Sequence, residues 1–185
     1  MTRSCPECEV LQRTPRSPNP RAVVVYDGPV RRVIADYKFR SRRRVARALA
    51  ARLVADIEAD PESPRFDVVT WAPTSSRRAA GRGFDQSELL ARHVARRLNL
   101  PCRRLLERSR GSAQTGRRRS ERLHGPVFRS RPLPRAQIVL IIDDVVTTGA
   151  TFAAAAHALR LAGAREVRSR AVAATPARSR DRSDA

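Results

Sequence analysis

Cysteine is scarce in this chain: Cys5, Cys8 and Cys102 are the only three in 185 residues. So few, and an odd number, rule out a disulfide scaffold and point to a reducing compartment, with the cytoplasm as the expectation. No apolar run approaches the ~20 residues of a membrane span, which argues against a membrane protein. The first residues carry no charged-then-apolar leader ending in small residues, so a secretory signal is not expected either. Aromatic residues are 4% of the chain, which leaves few rings on which bases could stack. Lysine is almost missing. Lys38 stands alone, so 37 of the 38 basic side chains are arginine.

What is present is positive charge on an otherwise ordinary globular composition. Hydrophobic residues make up 41%, and a chain of this length buries roughly 70% of its unfolded surface, enough for one core without cross-links. The 38 basic residues against 18 acids give a formal charge of +20. Arginine in place of lysine, with abundant alanine, has the look of a coding bias. The excess therefore has two readings, background solubilising charge or a surface for polyanions. DNA, RNA and phosphorylated metabolites all stay in play.

The hydrophobic pattern alternates between strand and helix. Residues 1–22 hold Pro6, Pro15, Pro18 and Pro20 among polar residues and read as an irregular arm. Val23 to Tyr26 is a short strand closed by the turn signal Asp27-Gly28-Pro29. Val30, Val33, Ile34 and Tyr37 share one helical face, and Val45, Leu49, Leu53 and Ile57 make a second stripe that stops near Pro61. Phe66 to Ala72 is a continuous apolar run between two prolines, as in a buried parallel strand. Asp85 with Glu88 resembles a capping box, and the helix it opens runs to about Leu98. Pro101 to Leu106 is a weaker strand, and 107–126, rich in arginine, reads as an exposed, mobile loop. Ile138 to Ile142 is the strongest strand; a helix over 150–162, a strand over 167–174 and a disordered tail at 176–185 follow. The alternation predicts an α/β fold with a mostly parallel sheet, whose ligands bind beyond the carboxyl ends of its strands.

Residues 139–151, Val-Leu-Ile-Ile-Asp-Asp-Val-Val-Thr-Thr-Gly-Ala-Thr, sit at such an end. The strand delivers Asp143 and Asp144 to the open edge, and a loop of small hydroxyl residues leads into a helix. Backbone N–H groups and the helix dipole favour an anion there. Thr147, Thr148 and Thr151 offer hydroxyl donors, and Gly149 allows close approach. Phosphate therefore suits the loop. The carboxylates suit sugar hydroxyls, directly or with magnesium nearby. An acidic strand end followed by an ordinary helix cap is the plainer alternative.

These thirteen residues resemble, without a mismatch, the 5-phosphoribosyl 1-diphosphate (PRPP) signature of type I phosphoribosyltransferases. Further segments widen the likeness to the ComF family of competence-associated, phosphoribosyltransferase-like proteins. They are Tyr26-x-Gly28, Tyr37-Lys38-Phe39, Pro73 before Arg77, Arg82-Gly83-Phe84-Asp85-Gln86 with Leu89-Leu90-Ala91, and Gln114 before Arg122. The family usually carries Asn where Asp85 stands. The resemblance spans 23–175 and implies a type I phosphoribosyltransferase-like parallel sheet flanked by helices, with a small hood over about 23–60 and a core over about 64–175. It implies that Asp143 and Asp144 hold the ribose of PRPP, or of a phosphoribosylated nucleotide, with magnesium beside them. The loop of Val145, Thr147, Thr148, Gly149, Ala150 and Thr151 would hold the 5-phosphate.

Thr74, Ser75, Ser76 and Arg77 follow the other strong strand, where this superfamily places its pyrophosphate loop, and Arg82 joins them. Hydroxyls and a guanidinium fork suit a diphosphate, although an ordinary polar loop would read the same. Arg117, Arg118, Arg119 and Arg122 occupy the position of a flexible loop that closes over PRPP in related enzymes; binding a nucleic-acid backbone or simple solvation are the alternatives. Cys5-x-x-Cys8 is half of a zinc ribbon. The second pair common in ComF relatives is missing, so the expectation is a degenerate remnant without zinc. No catalytic side chain is assigned. Family membership also implies a rival function, a non-enzymatic DNA-uptake factor that binds single-stranded DNA on the same scaffold.

Overall fold

In the computed structural model, the residues described are 6–14, 17, 19, 21–39, 43–74, 85–109 and 126–176. Their centre is β5 (Ile138–Val146), in which Ile138 to Ile142 are all buried. A strand buried on both faces needs neighbours on both edges and layers above and below. β6 (Glu166–Ala174) pairs with it in parallel from Ile138↔Glu166 to Val146↔Ala174. β2 (Val68–Trp71) pairs in parallel on the other edge, from Val68↔Val139 to Trp71↔Ile142. β1 (Ala22–Val25) adds to β6 in parallel, giving the order β1-β6-β5-β2. All four carboxyl ends therefore open on one side.

Alternate residues of β5 feed the two layers. Leu140 and Ile142 join one core with Val33, Leu49, Leu53, Leu90 and Val94. Those residues come from α2 (Gly28–Phe39), α3 (Arg43–Glu58) and α4 (Gln86–Arg97). Val139 and Ile141 join the other with Phe152, Ala155 and Leu159 of α5 (Ala150–Leu161). Each fully buried aliphatic side chain contributes roughly 1.5–3 kcal/mol, so the run 138–142 explains why this strand is central.

Two expectations change. The arm is not wholly irregular: α1 (Pro6–Arg13) buries Leu11 against the first core. Pro6 was read as a breaker, yet it opens the helix, where its missing N–H costs nothing. Residues 23–60, the expected hood, are continuous with the main sheet and its core. β1 is a strand of the main sheet, and Leu49 and Leu53 of α3 share the core of β5. The weaker strand also lies later than expected. Cys102 forms an isolated parallel bridge with Val69, which carries the sheet past β2, while β3 (Leu106–Arg108) pairs antiparallel with an unforeseen β4 (Phe128–Ser130). Phe128 is the one residue of β4 that is buried, too brief a signal amid arginine and proline. This hairpin brackets residues 110–125, which lie outside the described residues, as do the expected loop arginines within them.

One arginine is structural. Arg170 on β6 is only 9% exposed; it donates to the Asp60 carboxylate and lies 3.8 Å from that of Asp56, which fixes the end of α3 to the sheet. Among the described residues, no helix is long and apolar enough to cross a membrane.

Candidate functional site

A cavity of about 340 Å³ opens where the strands end. β5 supplies Asp143, Asp144 and Val145 to its wall, the turn beyond it supplies Thr147, and the first turn of α5 supplies Thr151. The segment just after β2 supplies Ala72, Pro73 and Thr74. Six residues singled out from the sequence line this one cavity: Asp143, Asp144, Val145, Thr147, Thr151 and Thr74. Thr148, Gly149 and Ala150 belong to the same turn without lining the cavity. Gly149 caps α5 at φ +79°, a left-handed conformation that suits glycine, and the Thr148 hydroxyl accepts from the Ala150 N–H at 3.3 Å. Ser75, Ser76, Arg77, Arg82, Arg117, Arg118, Arg119, Arg122 and Cys5 lie outside the described residues, as does the side chain of Cys8.

α4 completes the wall through contacts that its own sequence only half announces. Asp85 is its N-cap: Oδ1 accepts from the Ser87 N–H at 3.0 Å and the Glu88 N–H at 3.4 Å. Oδ2 accepts from the Thr74 N–H at 3.0 Å, so one carboxylate ties the end of β2 to the start of α4. Burial raises the Asp85 carboxyl above its ordinary value, and the N–H groups of Thr74, Glu88 and Ser87 partly offset this. The cap orients the next two residues into the cavity. The Ser87 hydroxyl donates to Asp143 Oδ1 at 2.7 Å, and the same oxygen accepts from the Asp144 N–H at 2.8 Å. Asp143 is therefore held by two donors, while Asp144 is 6% exposed. Gln86 is buried, and its carbonyl accepts from the fully buried Tyr37 hydroxyl. Burial, followed by the charges of Asp144, Asp85 and Asp143, drives the Tyr37 phenol far above its usual range, so it stays a donor.

Sequence reasoning missed Ser87 and Arg108 as site residues and used Tyr26 and Gln86 only as marks of family likeness. Ser87 carried a usable signal: it lies two residues after an N-cap, in a first turn that points at the strand ends. Arg108 carried none, being one arginine among 37. Cys102 is half-buried, and burial pushes its thiol up to about 11, which argues against a thiolate ligand. Among the described residues no three Asp, Glu, His or Cys side chains converge as a metal cage.

A parallel four-stranded sheet flanked by helices, with an acidic pair and a threonine-glycine turn at the end of an inner strand, has the architecture of a phosphoribosyltransferase-like protein. A model of the phosphoribosyl transferase domain family matches residues 85–185. Competence protein ComFC of Streptococcus pneumoniae is 28% identical over 170 residues, 91% of this chain and 74% of that protein. DNA utilization protein YhgH of Salmonella typhi is 32% identical over 171 residues, 88% and 74% of the two chains. The chain belongs to the ComF family of phosphoribosyltransferase-like proteins. Among solved structures, the glutamine PRPP amidotransferase of B. subtilis is similar at 24% identity with a TM-score of 0.45, over 71% of this chain and 29% of that one. An adenine phosphoribosyltransferase from Thermoanaerobacter pseudethanolicus is similar at 14% and 0.41, over 69% and 67%.

Proposed function

We propose that this chain binds magnesium-PRPP at the carboxyl end of β5 and transfers its phosphoribosyl group to a nitrogen acceptor. The observation that carries the reading is the placement of Asp143 and Asp144 in one cavity with Thr147 and Thr151. Carboxylates suit ribose hydroxyls, and the threonine turn at the start of α5 suits the 5-phosphate. The C1–O bond to diphosphate breaks, a C1–N bond forms, and the acceptor nitrogen loses its proton. The ribose is oxocarbenium-like between these events, so the chain's task is positioning and charge stabilisation. Magnesium fits this donor set as a companion of the substrate. It keeps several waters and is held by one or two carboxylates together with substrate phosphates, so no protein cage is required. Asp143 and Asp144 would hold it, and it would supply charge neutralisation on the diphosphate.

A second reading has an observation of its own. A hollow of about 540 Å³ beside the β3–β4 hairpin, away from the cavity, is lined by Arg103, Arg104, Arg129 and Arg131. Such a groove fits the backbone of single-stranded DNA, and the names of the ComFC and YhgH relatives point the same way. Among the described residues that line it none is aromatic, so binding there would be electrostatic and steep in salt.

One calorimetric experiment separates the two. Magnesium-PRPP is titrated into the wild type and an Asp143→Asn/Asp144→Asn variant at salt high enough to suppress nonspecific anion binding. Saturable one-site binding that the variant loses by about a hundredfold or more is expected. Absence of binding, or equal binding by the variant, overturns the PRPP reading. Oligothymidylate binding that is unchanged in the variant and fades with salt would then put the DNA reading first.

A further inference from the structure

A groove of about 700 Å³ runs between α5 and β6. Among the described residues it shares no lining residue with the cavity or with the hairpin hollow. The groove exists because β1 is short. β1 meets β6 only from Ala171 onward, so residues 166–170 of β6 have no strand beside them on that edge among the described residues. The Arg170 guanidinium turns back to this edge and donates to the Ser169 carbonyl at 3.3 Å. Two other guanidinia reach the groove without an acid to balance them. Arg168 is tied to Glu166 at 2.5 Å and Arg170 to Asp60, but among the described residues no ion pair engages Arg21 or Arg160. Both are exposed. Arg21, on the turn before β1, lies beside Gly149 at the start of α5: a Cβ on Gly149 would come 3.3 Å from its Nη1. Arg160 stands in the last turn of α5, roughly 16 Å along the helix at 1.5 Å per residue. Ala153, Ala156 and His157 lie between them at helical spacing, so the floor is low, two methyls and one imidazole.

Such a lining sorts ligands by chemistry. Unbalanced guanidinia select phosphate, whose oxygens match the planar fork. The alanine floor accepts a flat ring, while Glu166, Ser169 and His157 offer hydrogen-bond partners to a base or a sugar. The volume is that of a small-molecule site, about 300–1,000 Å³. A nucleic-acid backbone fits less well, because the groove balances one arginine with Glu166 instead of presenting an unbroken track of cations. We propose that this groove is a second ligand site, for a nucleotide-class phosphate ester held by Arg21 and Arg160. The site is separate from the cavity at the end of β5 and does not depend on the PRPP reading.

ATP is the probe, titrated into the full chain at salt high enough to screen nonspecific anion binding, beside inorganic tripolyphosphate and oligothymidylate. The variants are Arg21→Ala, Arg160→Ala and Ala156→Leu, none of which lines the cavity. One saturable ATP site is expected, weakened roughly tenfold by each arginine variant, with oligothymidylate unable to displace the nucleotide. Ala156→Leu raises the floor without changing charge. It should weaken ATP about fivefold while tripolyphosphate stays within about twofold. Unchanged thermal midpoints check that all three variants fold. ATP binding untouched by Arg160→Ala would put the anion elsewhere and overturn the proposal. Tripolyphosphate bound as tightly as ATP would overturn it too, as would displacement of ATP by oligothymidylate, since either makes the groove a surface for anions in general. Absence of saturable ATP binding would reduce the arginines to guards of an open strand edge.

Discussion

The two sides of the cavity are built in different ways. The β5 side is contiguous: Asp143, Asp144, Val145, Thr147 and Thr151 arrive within nine residues of one strand and its turn. The β2 side is assembled from Thr74, Gln86, Ser87 and Arg108, on three separate elements, and is joined by hydrogen bonds that cross them. A contiguous wall needs only its own backbone to be correct. An assembled wall is only as good as the packing of α4 and the hairpin against the sheet. This predicts that damage to the first side is local and steric, and damage to the second is relayed.

Gly149→Ala should give the largest effect in this comparison and keep it local. Gly149 sits at φ +79°, which costs an L-residue about 1–2 kcal/mol, and the added Cβ would lie 3.3 Å from Arg21 Nη1. The arginine end is flexible and can yield, so the backbone cost dominates. Chemical denaturation should show a loss of about 1–2 kcal/mol, and PRPP affinity should fall roughly tenfold as the turn distorts. Wild-type affinity in this variant would mean that the turn does not hold the 5-phosphate.

Ser87→Ala should be smaller and relayed. It removes the 2.7 Å donor to Asp143 without touching the threonine turn, a loss of about 1 kcal/mol. PRPP affinity should fall roughly fivefold. The relay is checked by a double-mutant cycle on stability with Asp143→Ala: the two effects should be coupled by about 1 kcal/mol, since each removes the same bond. Additive effects would show that Ser87 acts through something other than Asp143.

The same contrast explains what could be read from the sequence. The β5 side was legible because a buried strand of β-branched residues followed by two aspartates and a threonine-glycine turn is a local pattern with a physical meaning. Asp85 was legible as a cap for the same reason, since its partners Ser87 and Glu88 are its sequence neighbours. Its second role, accepting from the Thr74 N–H eleven residues earlier, depends on how the end of β2 meets α4, which no periodicity encodes. Arg108 needed the hairpin partner Phe128, twenty residues away across an arginine-rich segment, before it differed from any other arginine. The first helix was lost to a rule applied too broadly, because proline breaks a helix interior but not its first turn. The sheet order and the absorption of residues 23–60 into the main core likewise came from long-range pairing, Val24↔Ala173 among others.

Asp85 offers the smallest and most specific way to sharpen the comparison, because it is the joint between the two elements of the assembled wall. Asp85→Asn keeps one side-chain oxygen for the cap but turns an amide N–H₂ toward the Thr74 N–H, which loses that acceptor. It also removes a charge that burial disfavours. These opposing terms should leave stability at pH 7 within about 1 kcal/mol of wild type. The pH dependence is what distinguishes the two proteins. Because the native Asp85 carboxyl lies above its ordinary 3.8, the folded state takes up the proton more readily than the unfolded chain. Its contribution is therefore fully present below pH 3.8 and is lost as pH rises through the native value. Denaturation across pH 3.5–7 should show the wild type losing ground to Asp85→Asn over that window and running parallel to it above. Curves parallel throughout would mean that the three backbone donors fully offset burial. The link between β2 and α4 would then be a permanently charged clasp, and the assembled wall stiffer than its long-range construction suggests.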